Sequence, residues 1–280
     1  MKPMRWFVTL AAMAATVAVA EGPQPFLFLK TGEKFATQET AGPTVSGLTA
    51  YLGDKLSGST NAFAPRVLND PVKAAELCAA QKPSLGIVTP GFYLTYAKPL
   101  GMEPLLETKR EQVPSERYVL VVRTNAPVDL KSLEGKTIAT VLAPEQRYVT
   151  AVILQGKLGA EPHLRTIPNI ELALFSLADG AQGAPDAVLV DEPTWKLFQS
   201  DQEIGPGLKS VFQSDELPRD LVVVFHPNAG DLDTKKVTAI LKSMGGQDPG
   251  QSILRSIRVE SFEDINKERL AKARTQFQAP

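Results

Sequence analysis

Leu221-Val222-Val223-Val224-Phe225 is five apolar residues in a row with no polar alternation, and further strand-like stretches recur at 25–29, 84–88, 118–122, 136–142 and 186–190. A strand that is apolar at every position is covered on both faces, the condition of a sheet with helices packed on each side. Helix-period segments fall between these runs. Val45, Leu48, Leu52 and Leu56 make one stripe over 44–56, and further helices are expected over 71–80, 144–155, 170–178, from Pro193, over 234–244 and over 262–277. Asp70 is placed to cap the second of these, with Pro71 in its first turn. Strands alternating with helices give an α/β architecture.

The chain opens with a different signal. Lys2 and Arg5 precede an uncharged apolar run from Trp6 to Val19, and Ala18-Val19-Ala20 then places small residues ahead of the polar Glu21. This is the layout of a cleaved secretory signal over 1–20, and its apolar part is shorter than the ~20 residues of a membrane-spanning helix. No cysteine follows it, so a lipid anchor is not expected. The reading predicts a periplasmic or secreted protein starting near Glu21.

Beyond residue 20 there are 28 Lys and Arg against 31 Asp and Glu, a net charge of −3. A mildly acidic surface without basic runs does not favour nucleic acid or anionic membranes as partners. Cys78 is the only cysteine, so no intrachain disulfide is possible. It is expected to be a buried core thiol on the helical face of Val72, Ala75 and Ala79. The length beyond the signal suits one large domain or two lobes. Two long strands, 117–123 and 220–226, each precede a change of pattern and are read as the crossings between lobes. Lobe 1 would be 21–118 plus 227–280, and lobe 2 would be 119–226. Two crossings make a hinge.

With these elements in place the chain resembles the substrate-binding proteins of ABC importers, in particular the phosphate/phosphite/phosphonate-type branch. Four stretches carry the likeness. They are Asn69-Asp70-Pro71 through Leu77 leading to Thr89-Pro90-Gly91-Phe92-Tyr93; Asp129-Leu130-Lys131-Ser132-Leu133-Glu134-Gly135-Lys136; Ala173 to Gly180 followed by Asp186 to Asp191; and the C-terminal segment after Ser261-Phe262-Glu263-Asp264. The resemblance implies a two-lobed periplasmic-binding-protein-like α/β fold, with mixed sheets flanked by helices and two hinge crossings. It implies a monomer that closes on a small polar or anionic ligand and delivers it to a membrane ABC permease, with no cofactor and no bound metal. One departure stands out. Where the family's phosphonate binders carry a hydroxyl-rich turn at the start of lobe 2, this chain reads Val141-Leu142-Ala143-Pro144-Glu145-Gln146-Arg147-Tyr148. The hydroxyls are missing and a carboxylate has arrived, which argues against a phosphonate ligand.

Ligands in such sheets sit outside the carboxyl ends of the strands. That rule nominates Thr44 and Ser46 at the start of the first helix, where backbone N–H groups can hold an anion, although capping alone would account for both. Thr89, Gly91, Phe92 and Tyr93 follow a strand, with Gly91 allowing close approach of a ligand and the aromatics a wall. Arg147 offers a planar fork for carboxylate or phosphate oxygens, with Tyr148 beside it. Asp191 and Glu192 could hold an amine, or simply suit a helix N-terminus. Trp195 is read as a packing residue, His163 as a surface residue and His226 as a hinge residue with local hydrogen bonds.

There is no HExxH, no GxSxG and no complete phosphate-binding GxxxxGK[ST] loop, since Gly135-Lys136-Thr137 has Leu130 where the loop's first glycine would stand. A non-enzymatic binder is therefore expected. Two alternatives stay open: a binding module for a sensor or respiratory partner, and an enzyme on the same scaffold, such as a thiamine-precursor synthase.

Overall fold

In the computed structural model the described residues are 22–127, 129–158, 162–246 and 248–279. The expected export signal lies outside them. The chain runs β1 (Gln24–Leu29), α1 (Gly42–Ser57), β2 (Phe63–Leu68), α2 (Pro71–Gln81), β3 (Leu85–Val88), α3 (Pro90–Leu100), β4 (Met102–Arg110) and β5 (Tyr118–Arg123). It continues through β6 (Thr137–Thr140), β7 (His163–Thr166), α4 (Ile170–Asp179), β8 (Ala187–Asp191), α5 (Glu192–Gln199), β9 (Leu208–Gln213) and β10 (Leu221–Phe225). Last come α6 (His226–Ala229), α7 (Thr234–Ser243), α8 (Gly250–Ser256), β11 (Val259–Glu263) and α9 (Lys267–Gln278).

Two mixed sheets result. One has the order β11-β4-β10-β3-β1-β2 and the other β7-β6-β8-β5-β9. In the first, β1 is parallel to β2 and β3, whereas β10 is antiparallel to both β3 and β4. In the second, β6 is parallel to β7 and β8, and β5 is antiparallel to β8 and β9.

The continuous apolar runs are explained by alternation onto two covered faces. Phe26 and Phe28 of β1 enter a core built with α1, α7 and α8, while Leu27 and Leu29 enter a second core with α2, α3 and α9. The same division holds for β10, with Val222 and Val224 on one side and Leu221, Val223 and Phe225 on the other. In the second sheet Leu120 and Leu189 face the segment around Val149, and Val188 and Val190 face α4 and α5, where Trp195 is buried. Each fully buried Leu, Val or Phe contributes roughly 1.5–3 kcal/mol by leaving water.

Several expectations change. The sequence pattern makes 220–226 an interlobe crossing, but β10 sits in the middle of the first sheet. The chain crosses before it, through 214–220, and the outward crossing is 111–117. These two segments hydrogen-bond to each other, Leu217 N–H donating to Glu116 O at 2.8 Å. Full burial on both faces makes a central strand and a crossing strand look alike in sequence. The helix expected from Pro144 is instead a 3₁₀ turn (Ala143–Glu145) followed by a π-helical turn (Tyr148–Ile153). The C-terminal helix starts at Lys267, because Phe262 and Ser261 pair with β4 in β11. On α2 the buried face is Pro71, Ala74 and Cys78, and Val72 is exposed.

The helix α9 spans the two lobes. Its Leu270 packs in the first-lobe core with Phe92 and Tyr93, and its Ala273 packs in the second-lobe core with Val149 and Val152.

Candidate functional site

The carboxyl ends of β1, β3 and β6 converge on a cavity of about 410 Å³ between the lobes, floored by the crossing residues Leu217–Asp220. Small-molecule sites run from ~300 to ~1,000 Å³, so the space suits a small ligand.

The loop after β1 delivers Lys30 and Thr31, and β3 ends in Thr89. From the other lobe the turn after β6 delivers Glu145. Thr31 Oγ1 donates to Glu145 Oε1 at 2.6 Å, and Thr89 Oγ1 donates to the same oxygen. Glu145 is only 7% exposed, and its second oxygen, Oε2, has no hydrogen-bond partner. That oxygen lies over the first turn of α3. Burial pushes the Glu145 carboxyl up to about 7, against the Thr31 and Thr89 hydroxyls and the Phe92 N–H, which favour its ionised form.

Of the basic groups lining the cavity, Lys30, Arg110 and Arg219 meet carboxylates, whereas Arg258 at its rim is exposed. Lys30 pairs with Asp220 of the return crossing. Arg110 forks onto Glu116 through two bonds of 2.7 Å and reaches Asp191 at 3.3 Å. Burial opposes the Arg110 charge, but the Glu116 hydrogen bonds and the Glu116 and Asp191 charges raise its pKa. Arg219 donates to Glu263 at 3.0 Å. Burial holds the Tyr118 and Tyr148 hydroxyls protonated, well above their ordinary range. Among the described residues no group of His, Cys, Asp and Glu could hold a metal ion.

The residues nominated from sequence divide into two sets. Thr44, Thr89 and Tyr148 line the cavity. Gly91 lies under Glu145, where a Cβ would stand 2.0 Å from Oε2. The others face elsewhere. Ser46 is exposed and its hydroxyl donates back to Gly42 O at 2.8 Å. Phe92 is fully buried against Tyr96, and the buried Tyr93 accepts from Arg274 at 2.8 Å. Arg147 turns away to hold Phe277 O and Ala279 O at 2.8 Å each. Asp191 caps α5 and braces Arg110 from behind, and Glu192 pairs with Lys196 at 2.7 Å. His163 is exposed on β7, and His226 begins α6 and pairs with Glu103, away from the crossings.

Sequence reasoning did not nominate Lys30, Thr31, Arg110, Glu116, Tyr118, Glu145, Arg219 or Asp220. The strand-end rule covers Lys30 and Thr31, which directly follow β1. Nothing local marks Arg110 or Asp220, because their position depends on where the chain crosses between lobes.

No curated protein matches the chain by sequence. Solved structures share its fold. XAC2383 from Xanthomonas citri, bound to chloride ion, aligns with a TM-score of 0.68 at 12% identity, over 91% of this chain and 97% of that one. PhnD1 from Prochlorococcus marinus, in complex with methylphosphonate, aligns with a TM-score of 0.60 at 12% identity, over 91% and 97% of the two chains. A binding protein component of an ABC phosphonate transporter from Pseudomonas aeruginosa aligns with a TM-score of 0.62 at 12% identity, over 91% and 86%. At that identity the likeness establishes the two-lobed fold. The family model for the phosphonate-type periplasmic substrate-binding protein of ABC transporters matches residues 35–270. This chain therefore belongs to the family of phosphonate-type periplasmic substrate-binding proteins of ABC transporters.

Proposed function

We propose that the protein is exported to the periplasm, captures a small polar ligand in the cavity between its lobes, and hands it to a membrane ABC permease. The observation that carries this reading is the position of the cavity. It lies where the strand ends of both lobes meet over the two crossings, so one ligand touches both lobes and the hinge. A ligand that touches both lobes favours the closed arrangement by its differential contacts, and a hinge needs nothing more to respond. Micromolar affinity requires about 8 kcal/mol, within reach of several hydrogen bonds to charged groups at ~1.5–3 kcal/mol each. No helix among the described residues is long and apolar enough to cross a membrane. We read the protein as a monomer, and as a binder and not an enzyme, the latter in keeping with its family of substrate-binding proteins.

The test is native mass spectrometry of the protein purified from its own host, followed by thermal melts and small-angle scattering with the molecule recovered. A bound small molecule that raises the melting temperature and compacts the protein is expected. A protein that carries nothing, and whose melting and scattering ignore a wide panel of oxyanions, amino acids and amines, would refute the reading.

A further inference from the structure

The first turn of α3 is built like a seat for an anion. Its axis begins at Thr89, whose hydroxyl caps it by accepting from the Phe92 N–H; Pro90 has no N–H and the Tyr93 N–H bonds the Thr89 carbonyl, so the Gly91 N–H is the donor this turn leaves over. Gly91 has no side chain to obstruct approach. The hydroxyl of Thr31 comes in from the side, within 3.3 Å of Thr89 Oγ1. What lies in the seat is a group of the chain itself. The Glu145 carboxyl comes from the opposite lobe, takes both hydroxyl donors on Oε1, and lays its unpartnered Oε2 against Gly91.

We propose that Glu145 is the specificity-determining residue of the cavity: it fills an oxyanion seat at the N-terminus of α3 and so excludes phosphonate, phosphate and sulfonate ligands from it. The inference deepens the ligand-capture reading and rests on it. Two carboxylate-sized groups cannot share the seat, since the space over Gly91 is too small even for a methyl group beside Oε2. An arriving oxyanion would also bring its negative charge against the Glu145 carboxyl, which is ionised above about pH 7, and against Asp220 across the cavity. Lys30, which lines the same cavity, is already paired with Asp220. The seat is closed by shape, and the ligand that enters is one without a tetrahedral oxyanion.

Three proteins test this: the full chain, Glu145→Ala and Glu145→Gln. Each is titrated with methylphosphonate and with inorganic phosphate at constant ionic strength, read by calorimetry and by thermal melting. The unaltered chain should show no saturable binding of either. Glu145→Ala removes the occupant and should bind at least one of them, gaining about ten-fold or more in affinity over the unaltered chain. Glu145→Gln keeps the seat full and should stay blind to both, which separates occupancy from charge. Glu145→Ser serves in place of the alanine variant if that variant does not melt cooperatively.

Binding of either anion by the unaltered chain as tightly as by Glu145→Ala would overturn the proposal. So would a folded alanine or serine variant that gains nothing. If the molecule captured from the host carries a phosphonate, phosphate or sulfonate group, the seat proposal fails while the capture reading stands. If nothing is captured yet Glu145→Ala gains anion binding, the seat stands and the capture reading fails.

Discussion

Glu145 of one lobe presses so closely on Gly91 of the other that a Cβ at position 91 would stand 2.0 Å from Oε2 and 3.0 Å from the Tyr148 Cβ. Position 91 is thus where the two lobes touch without a side chain between them. Gly32 repeats the relationship a short distance away, since a Cβ there would fall 2.0 Å from Val141 O. The approach of the lobes seen here requires bare backbone at both points.

Gly91→Ala should therefore cost stability although alanine is the better helix former. The methyl group forces Glu145 off its two hydroxyl partners, and overpacking of this kind costs roughly 1–3 kcal/mol. The cost should shrink when Glu145→Ala is combined with it, because the obstruction is gone. Urea unfolding of the two single variants and the double variant gives the coupling. Strictly additive losses would show that the 91–145 contact is not the cause.

The Glu145 carboxyl also makes stability depend on pH. Its pKa rises from 4.5 to about 7 on folding, so the folded chain binds the proton more tightly than the unfolded one. The contribution is full below the unfolded value and is lost as pH rises through about 7, a total on the order of 3 kcal/mol. The unaltered protein should weaken between about pH 5 and about pH 8 by more than Glu145→Gln does. Parallel pH profiles of the two proteins in denaturant would sink this account.

The strands covered on both faces along their whole length were legible in the sequence, and an apolar run such as Leu221–Phe225 records that directly; β4, interior but carrying Glu103, Pro104, Glu107 and Lys109, was not. Nor were the edge strands. Neither β7, with two exposed arms around Leu164, nor β9 carries an unbroken run, and β2 contains Pro65 and Arg66. The site was half legible for a related reason. Thr89 and Tyr148 follow strands and obey the strand-end rule, whereas Arg147 and Tyr93 follow the same rule and turn away to serve α9. That diversion depends on a helix more than a hundred residues downstream, which no local pattern reports. Glu145 stood out in sequence only as a missing hydroxyl turn, and its partners Thr31 and Thr89 became visible once the lobes were closed on each other.

Cys78 offers a direct probe of the first-lobe core. It is 4% exposed on the inner face of α2, and burial pushes its thiol up to about 12. The thiolate is the reactive form, so the folded protein should resist an aromatic disulfide reagent at neutral pH. Reaction should follow opening of the core, with a rate that rises steeply with denaturant. Immediate stoichiometric labelling of the native protein would contradict the buried placement.

The ties at the end of α9 set a last expectation. Arg147 holds two carbonyls of the final turn at 2.8 Å each, and its guanidinium lies 5.4 Å from the centre of the Phe277 ring. These contacts are near the surface, so Arg147→Ala should cost only about 1 kcal/mol. The loss should be local. Hydrogen exchange of the amides over 275–279 should quicken by about five-fold, the equivalent of that free energy, while β3 and β10 keep their protection. Leu270 and Ala273 remain buried in opposite lobes after the substitution, so the helix stays seated and only its end frays. Were exchange to quicken throughout α9 and in the second-lobe core as well, Arg147 would be holding the lobes together and not merely finishing a helix.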